Sequence, residues 1–187
     1  MGEKIDRLKT VENFVLKTFK KVNMDKRVKY FNRTLHWTSV LKPDASEALK
    51  IAALTYDIQD AFRQVSPFSS SPVKSVDSVD YHQKEGAKII KRFLEESNFP
   101  DKIRERVYDI VAEHETGSDK EHIILRDADR INYFENVAIR RARTSGMIPP
   151  ERIKEEFQRM LNDIKTEQAK QIAEPFYRKA LGELTKK

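Results

Sequence analysis

At 187 residues the chain is long enough to bury a core without covalent staples, and its lack of cysteine excludes disulfides and any cysteine-ligated zinc or iron–sulfur centre. A charged fraction of 35% with only five glycines favours helices over sheets, and the formal net charge of +6 attracts anions, although acids interleaved almost throughout argue against a nucleic-acid partner. No apolar leader follows the charged start Met1-Gly2-Glu3-Lys4, and no apolar run reaches the roughly 20 residues that span a bilayer, so a cytoplasmic protein with no membrane partner is expected.

Apolar residues at steps of three and four predict a first helix over 3–22, with Ile5, Leu8, Val11, Val15 and Phe19 on one face. A second covers 25–41, carrying Val28, Phe31, Leu35 and Trp37, and Lys42-Pro43 stops it. Asp44-Ala45-Ser46-Glu47 reads as the start of a third, over 45–64. Its centre, Ala48, Leu49, Ile51, Ala52, Ala53 and Leu54, is apolar nearly all round, which predicts a buried central helix ending near Tyr56-Asp57. Residues 65–77, rich in serine and with two prolines, are predicted as a long loop of the kind that serves as a lid.

A fourth helix is expected over 78–97, with Ala87, Ile90, Phe93 and Leu94 inward, and a fifth over 100–115, with Ile103, Val107, Ile110 and Val111 on its buried face and Gly117 ending it. A sixth runs from about 118 to 144 through Ile123, Ile124, Leu125, Ala128 and Ile131. Gly146 and Pro149-Pro150 then break the chain. The last, over 150–184, carries Ile153, Phe157, Met160, Leu161 and Ile164, with Pro175 placed to kink or split it. The expectation is an all-α bundle of about seven helices forming one domain.

Several polar residues fall where apolar ones belong. His114 continues the 103–107–110–111 face, and Asp127 lies three after Ile124 and four before Ile131. A buried carboxylate needs a partner, so Asp127 calls for a metal, an arginine or a histidinium. His82, with Gly86 four residues on leaving space beside the imidazole, Asp57 at the end of the most apolar segment, and His36 with Arg33 one turn before it also face inward by spacing. His122, among charged residues, reads as surface. Imidazoles and carboxylates together suit Mn, Fe, Ni, Co or Zn, but spacing leaves a metal site and a salt-bridged core equally open.

In order along the chain these residues resemble the HD superfamily of metal-dependent phosphohydrolases, whose signature is an early His, a His-Asp pair ending a buried helix, optional further His residues and a late Asp. The matching stretches are Arg-Thr-Leu-His36-Trp, Ala-Ala-Leu-Thr-Tyr56-Asp57-Ile, Asp-Tyr-His82-Gln-Lys-Glu-Gly-Ala, Ile-Val-Ala-Glu-His114-Glu and Ile-Leu-Arg-Asp127-Ala-Asp-Arg-Ile, within about 30–135. The resemblance implies His36, Asp57 and Asp127 as core ligands of a divalent metal ion (Mn, Fe, Ni, Co, Zn or Mg), with His82 and His114 as ligands of members that hold two. It implies hydrolysis of a phosphomonoester or phosphodiester, plausibly nucleotide-like, by a metal-activated water. Asp57, Arg130 and Lys84 are the catalytic candidates, the two cations holding phosphate or serving as ordinary solvated charges.

One departure matters: the histidine of the family's His-Asp pair is Tyr56 here, and a phenol titrating near ~10 is a poor ligand at neutral pH. The alternatives are a single-metal enzyme and a catalytically degenerate HD-like domain that binds a ligand without turnover. Nucleic-acid binding through Arg140, Arg141 and Arg143 is a third reading, against which stands the ordinary role of a salt-bridged helix end. Assembly into a homo-oligomer is left open.

Overall fold

Helix formation follows the apolar spacing through most of the chain. The computed structural model describes residues 6–62, 76–144, 146 and 148–186, with backbone alone at 76–79, and every regular element among these is helical. The elements are α1 (Arg7–Lys21), α2 (Lys26–Leu41), α3 (Glu47–Thr55), a 3-10 turn (Ile58–Ala61), α4 (Val76–Glu96), α5 (Asp101–Ala112), α6 (Lys120–Tyr133), a π turn (Phe134–Ala138), α7 (Ile139–Arg143), α8 (Pro150–Asp163) and α9 (Glu167–Leu184). The predicted loop at 65–77 lies outside the described residues as far as 75; Val76 and Asp77 open α4.

Side chains that bond to backbone N–H groups start four of these helices. Asp6, Ser46, Asp119 and Thr166 accept from Lys9, Leu49, Glu121 with His122, and Ala169, occupying donors that the first turn cannot pair internally. α1 and α4 end alike, on Asn23 and Asn98 in the left-handed conformation, a geometry asparagine tolerates better than most residues. The amides that follow, Met24 N and Phe99 N, reach back to Phe19 O and Leu94 O at 2.9 and 3.0 Å.

Two apolar clusters make the core. One gathers Val11, Val15 and Phe19 of α1, Phe31 of α2, most of α3, and Ile90, Leu94, Val107 and Ile110 of α4 and α5. The other gathers Leu41, Ala128, Ile131 and Phe134 with Ile153, Phe157, Ala169, Ala173 and Tyr177 of α8 and α9. α2 and α6 pack side by side and contribute to both. No helix among the described residues is long and apolar enough to cross a membrane.

Two boundaries differ from expectation, and one long helix carries an irregular turn. α3 stops at Thr55, and the chain passes through Asp57 (φ −109°, ψ 25°) into the 3-10 turn instead of continuing to 64. α6, the π turn and α7 run on as one rod, as the periodicity implies, but with the π turn inside it. The C-terminal rod divides at Ile164, where the backbone is extended, and not at Pro175, which sits within α9. The division has a physical cause: Thr166 caps α9, while the carboxylate of Asp127 accepts from Lys165 N at 2.8 Å, Thr166 N at 2.9 Å and Thr166 Oγ1 at 2.7 Å. Seven rods were expected; this division makes eight among the described residues.

Candidate metal centre

Asp57, His82 and His114 converge between the end of α3, the start of α4 and the end of α5. Each offers one donor atom, all within 4.8 Å of one another. His82 Nε2 lies 2.9 Å from Asp57 Oδ1, and His114 Nε2 lies 3.8 Å from the same oxygen. Both imidazoles are buried. Glu115 adds a second carboxylate, its Oε1 at 3.9 and 4.0 Å from the Nε2 atoms of His82 and His114.

The surroundings fix these groups. His114 Nδ1 lies 2.8 Å from Val111 O. A carbonyl only accepts, so Nδ1 carries the proton. Burial lowers the His114 pKa against the opposing pull of Asp57, so at neutral pH Nε2 is the bare nitrogen facing Asp57. The Gln59 amide lies 2.6 Å from His82 Nδ1. Gln83 Oε1 accepts from Glu115 N at 2.6 Å, and the buried Arg126 donates to Glu115 O and Gly117 O at 2.9 and 2.5 Å, holding the turn after α5. The space at Gly86 is taken up by the turn after α3 and not left open beside the imidazole: a Cβ there would meet Gln59 Oε1 at 2.8 Å and the Tyr56 carbonyl at 3.3 Å.

Arg27 of α2 also serves Asp57, donating to its Oδ2 at 2.9 Å and to Asp60 Oδ2 at 2.5 Å. Burial alone would raise the Asp57 pKa, but the His82 contact and the charges of Arg27 and His114 outweigh it and hold the carboxyl below the usual range. Beside this lies a second polar group. Tyr56 OH and Tyr30 OH donate to Asp129 Oδ1 at 2.6 and 3.1 Å, and Arg130 Nη1 donates to Asp129 Oδ2 at 2.7 Å. Burial first, and Asp129 second, push both phenols well above their usual range, so they stay protonated donors.

The sequence-based candidates divide accordingly. Asp57, His82 and His114 are brought together. His36 is not: it is exposed on α2 with its ring edge-on to Trp37, and the α2 residues that face this group are Tyr30, against Asp129, and Thr34, whose hydroxyl lies 3.4 Å from that of Tyr56. Asp127 is fully buried, but its partners are the backbone and hydroxyl at the start of α9, so neither a metal nor a cation is needed to satisfy it. The aspartate of Asp-Ala-Asp that faces this site is Asp129. Arg130 is present but committed to Asp129 and to Asp163 at 2.8 Å. Lys84 stands on the solvent side of α4, paired with Asp80 at 2.8 Å, away from the cluster.

His122 is buried, not on the surface. Gly117 permits this, since a Cβ there would overlap the imidazole ring. With Asp109 and Asp119 it forms a second group of metal-ligating types, but the guanidinium of Arg106 already pairs with Asp109, Asp119 and Glu121.

Comparison with solved structures finds a crystal structure of an HD-superfamily hydrolase from Bacillus thuringiensis, superposing with a TM-score of 0.66 over 97% of this chain and 94% of that one at 18% identity. The fold is that of an HD-superfamily hydrolase. No family model matches the chain, and no curated protein does. In this HD-like fold the polar cluster sits where α3, α4 and α5 meet, with α2 and α6 supplying Arg27, Tyr30 and Asp129.

Two imidazole nitrogens, one held in the ligating tautomer by a backbone carbonyl, and an ionised carboxylate form a donor set suited to a divalent transition ion. The residues therefore fit a divalent metal ion.

Proposed function

We propose that this protein is a metal-dependent phosphohydrolase acting on a phosphomonoester or phosphodiester, with Asp57, His82 and His114 holding the ion. The observation that carries the reading is the convergence of these three donors within 4.8 Å, with His114 fixed to present Nε2. When bound, the ion supplies Lewis acidity toward a phosphoryl oxygen and lowers the pKa of a water. Asp57 stays ionised and orients His82. Glu115, close to both imidazoles, is placed to accept a proton from a water. Arg27 and Arg130 bring positive charge to the cluster, where a phosphoryl group would need it.

A second reading, a ligand-binding HD-like domain without turnover, is favoured by two observations: Arg27 already sets a cation against Asp57, and two phenols, Tyr30 and Tyr56, occupy Asp129.

Calorimetric titration of chelator-stripped protein with Mn, Co, Ni and Zn, followed by hydrolysis of p-nitrophenyl phosphate and its diester, tests the pair. Binding near one equivalent with turnover, both lost in Asp57→Asn and His114→Ala, supports the enzyme. Binding without turnover on either ester supports the second reading. Absence of metal binding defeats the metal-dependent proposal.

A further inference from the structure

A cavity of about 500 Å³ lies between the N-terminal half of α2 and the segment formed by the π turn and α7. This volume is within the roughly 300–1,000 Å³ usual for small-molecule sites. Its wall carries Lys26, Arg27, Lys29, Arg33, Arg140 and Asn136, and no carboxylate lines it. Two of the five cations have partners elsewhere: Arg27 pairs with Asp57 and Asp60, and Arg33 pairs with Glu135 while covering Trp37 at 4.7 Å. Lys26, Lys29 and Arg140 form no ion pair among the described residues. The contrast within α7 is direct, since Arg141 pairs with Glu156 at 3.1 Å and Arg143 with Glu183 at 2.7 Å, while Arg140 faces the cavity.

The cluster is not arranged for stability. Lys26, Arg27 and Lys29 crowd the start of α2, where the positive end of the helix dipole disfavours cations, no acid stands in the first turn, and Asp25 makes no side-chain cap bond. The facing wall is the π turn, a widened helical turn that recurs at functional sites; Asn136 and Val137 of that turn line the cavity. Met24, Tyr30 and Val137 add apolar surface beside the charges.

We propose that this cavity is a binding site for a small polyphosphorylated molecule of nucleotide size. Lys26, Lys29 and Arg140 take the phosphates, their charges unspent within the protein, and the Met24, Tyr30 and Val137 surface takes an apolar body. Arg27 and Tyr30 belong both to this wall and to the cluster around Asp57 and Asp129, so anions in the cavity compete with Asp57 for Arg27. The site needs no metal, so it stands or falls apart from the hydrolase reading.

The test is calorimetric titration of the full chain, in EDTA at physiological salt, with inorganic tripolyphosphate and with ATP. Trp37, the single tryptophan, gives a fluorescence signal beneath Arg33. One-to-one binding of both probes is expected, weakened by at least about tenfold in Lys29→Glu/Arg140→Glu. Lys29→Gln, which changes one exposed side chain without a partner, repeats the comparison with the melting temperature as a folding control. Absence of binding by either probe, or equal binding by wild type and both variants, overturns the proposal. So does a single-stranded 20-mer that binds more tightly than ATP and depends on the same residues, because the surface then serves nucleic acid.

Discussion

The phenol of Tyr56 donates to Asp129 Oδ1 at 2.6 Å, joining the end of α3 to the middle of α6. The buried Tyr56 ring also stands edge-on to Phe31 and lies 5.3 Å from the His114 ring, so one side chain contributes to the core, the hydrogen-bond network and the wall of the Asp57–His82–His114 cluster. Tyr56→Phe keeps the ring and removes one donor from Asp129, which retains Tyr30 and Arg130. The expected cost is about 1–2 kcal/mol, read from denaturant unfolding. Tyr56→His instead adds an imidazole beside His114. Its affinity for Mn, Co or Zn should rise by about tenfold or more, and an unchanged affinity would count against any ligating role for this position.

Arg27 holds the carboxylate that the proposed divalent ion would take. Arg27→Met keeps the apolar stem against Tyr30 and Phe31, whose rings lie 5.4 Å from the guanidinium, and removes the charge. Metal affinity measured by calorimetry should rise by about tenfold. A fall would mean that the guanidinium serves to position Asp57.

Acid should weaken the metal-free protein in two stages. His114 titrates below its ordinary value of 6.5 in the folded state because of burial, and Asp57 titrates below 3.8 because His82, Arg27 and His114 outweigh its burial. Both groups therefore bind more protons unfolded than folded between their two pKa values, and stability is lost as pH falls through those intervals. Loss begins below about pH 6.5 from His114 and resumes below about pH 4 from Asp57. The titratable residues facing His114 are Asp57, His82, Glu115 and Tyr56. Melting curves from pH 7.5 to 3 for wild type and His114→Gln check this: the first stage should flatten in the variant, and identical slopes between pH 6.5 and 5 would contradict it.

Asp127 and Asp57 should fail differently. Asp127→Ala strands two backbone N–H groups and the Thr166 hydroxyl at the start of α9, for a cost of about 2–4 kcal/mol. Under conditions where the variant is folded, its metal affinity should match wild type. Asp57→Asn should lose metal binding. Equal loss of affinity in both would return Asp127 to the site.

Much of this was legible because helical periodicity marks a buried face without reference to the rest of the fold. Val107, Ile110 and Val111 make position 114 inward whatever α5 packs against, and His114 is inward. Asp127 and Asp129 defeat the same argument. They lie about 200° apart around α6, a helix whose buried residues include Leu125, Arg126, Asp127, Ala128, Ile131 and Asn132, so burial alone does not say which aspartate meets which neighbour. Likewise α2 carries both Tyr30 and His36, and only its pairing with α6 turns Tyr30 toward Asp129. The burial of His122 left a faint trace in Gly117, which reads as a helix stop and also makes room for an imidazole.

The aspartates of Asp-Ala-Asp hold two different parts of the molecule from a single helical turn. Asp127 grips Lys165 and Thr166, Asp129 grips the two tyrosines, and Arg130 ties Asp129 to Asp163 at the end of α8. A displacement of the α8–α9 junction therefore reaches the wall of the Asp57–His82–His114 cluster through one turn of α6. A chain cut at Asp163 would lose more than a trailing helix: Asp127 would be left a buried anion without donors, next to the turn that aims Asp129.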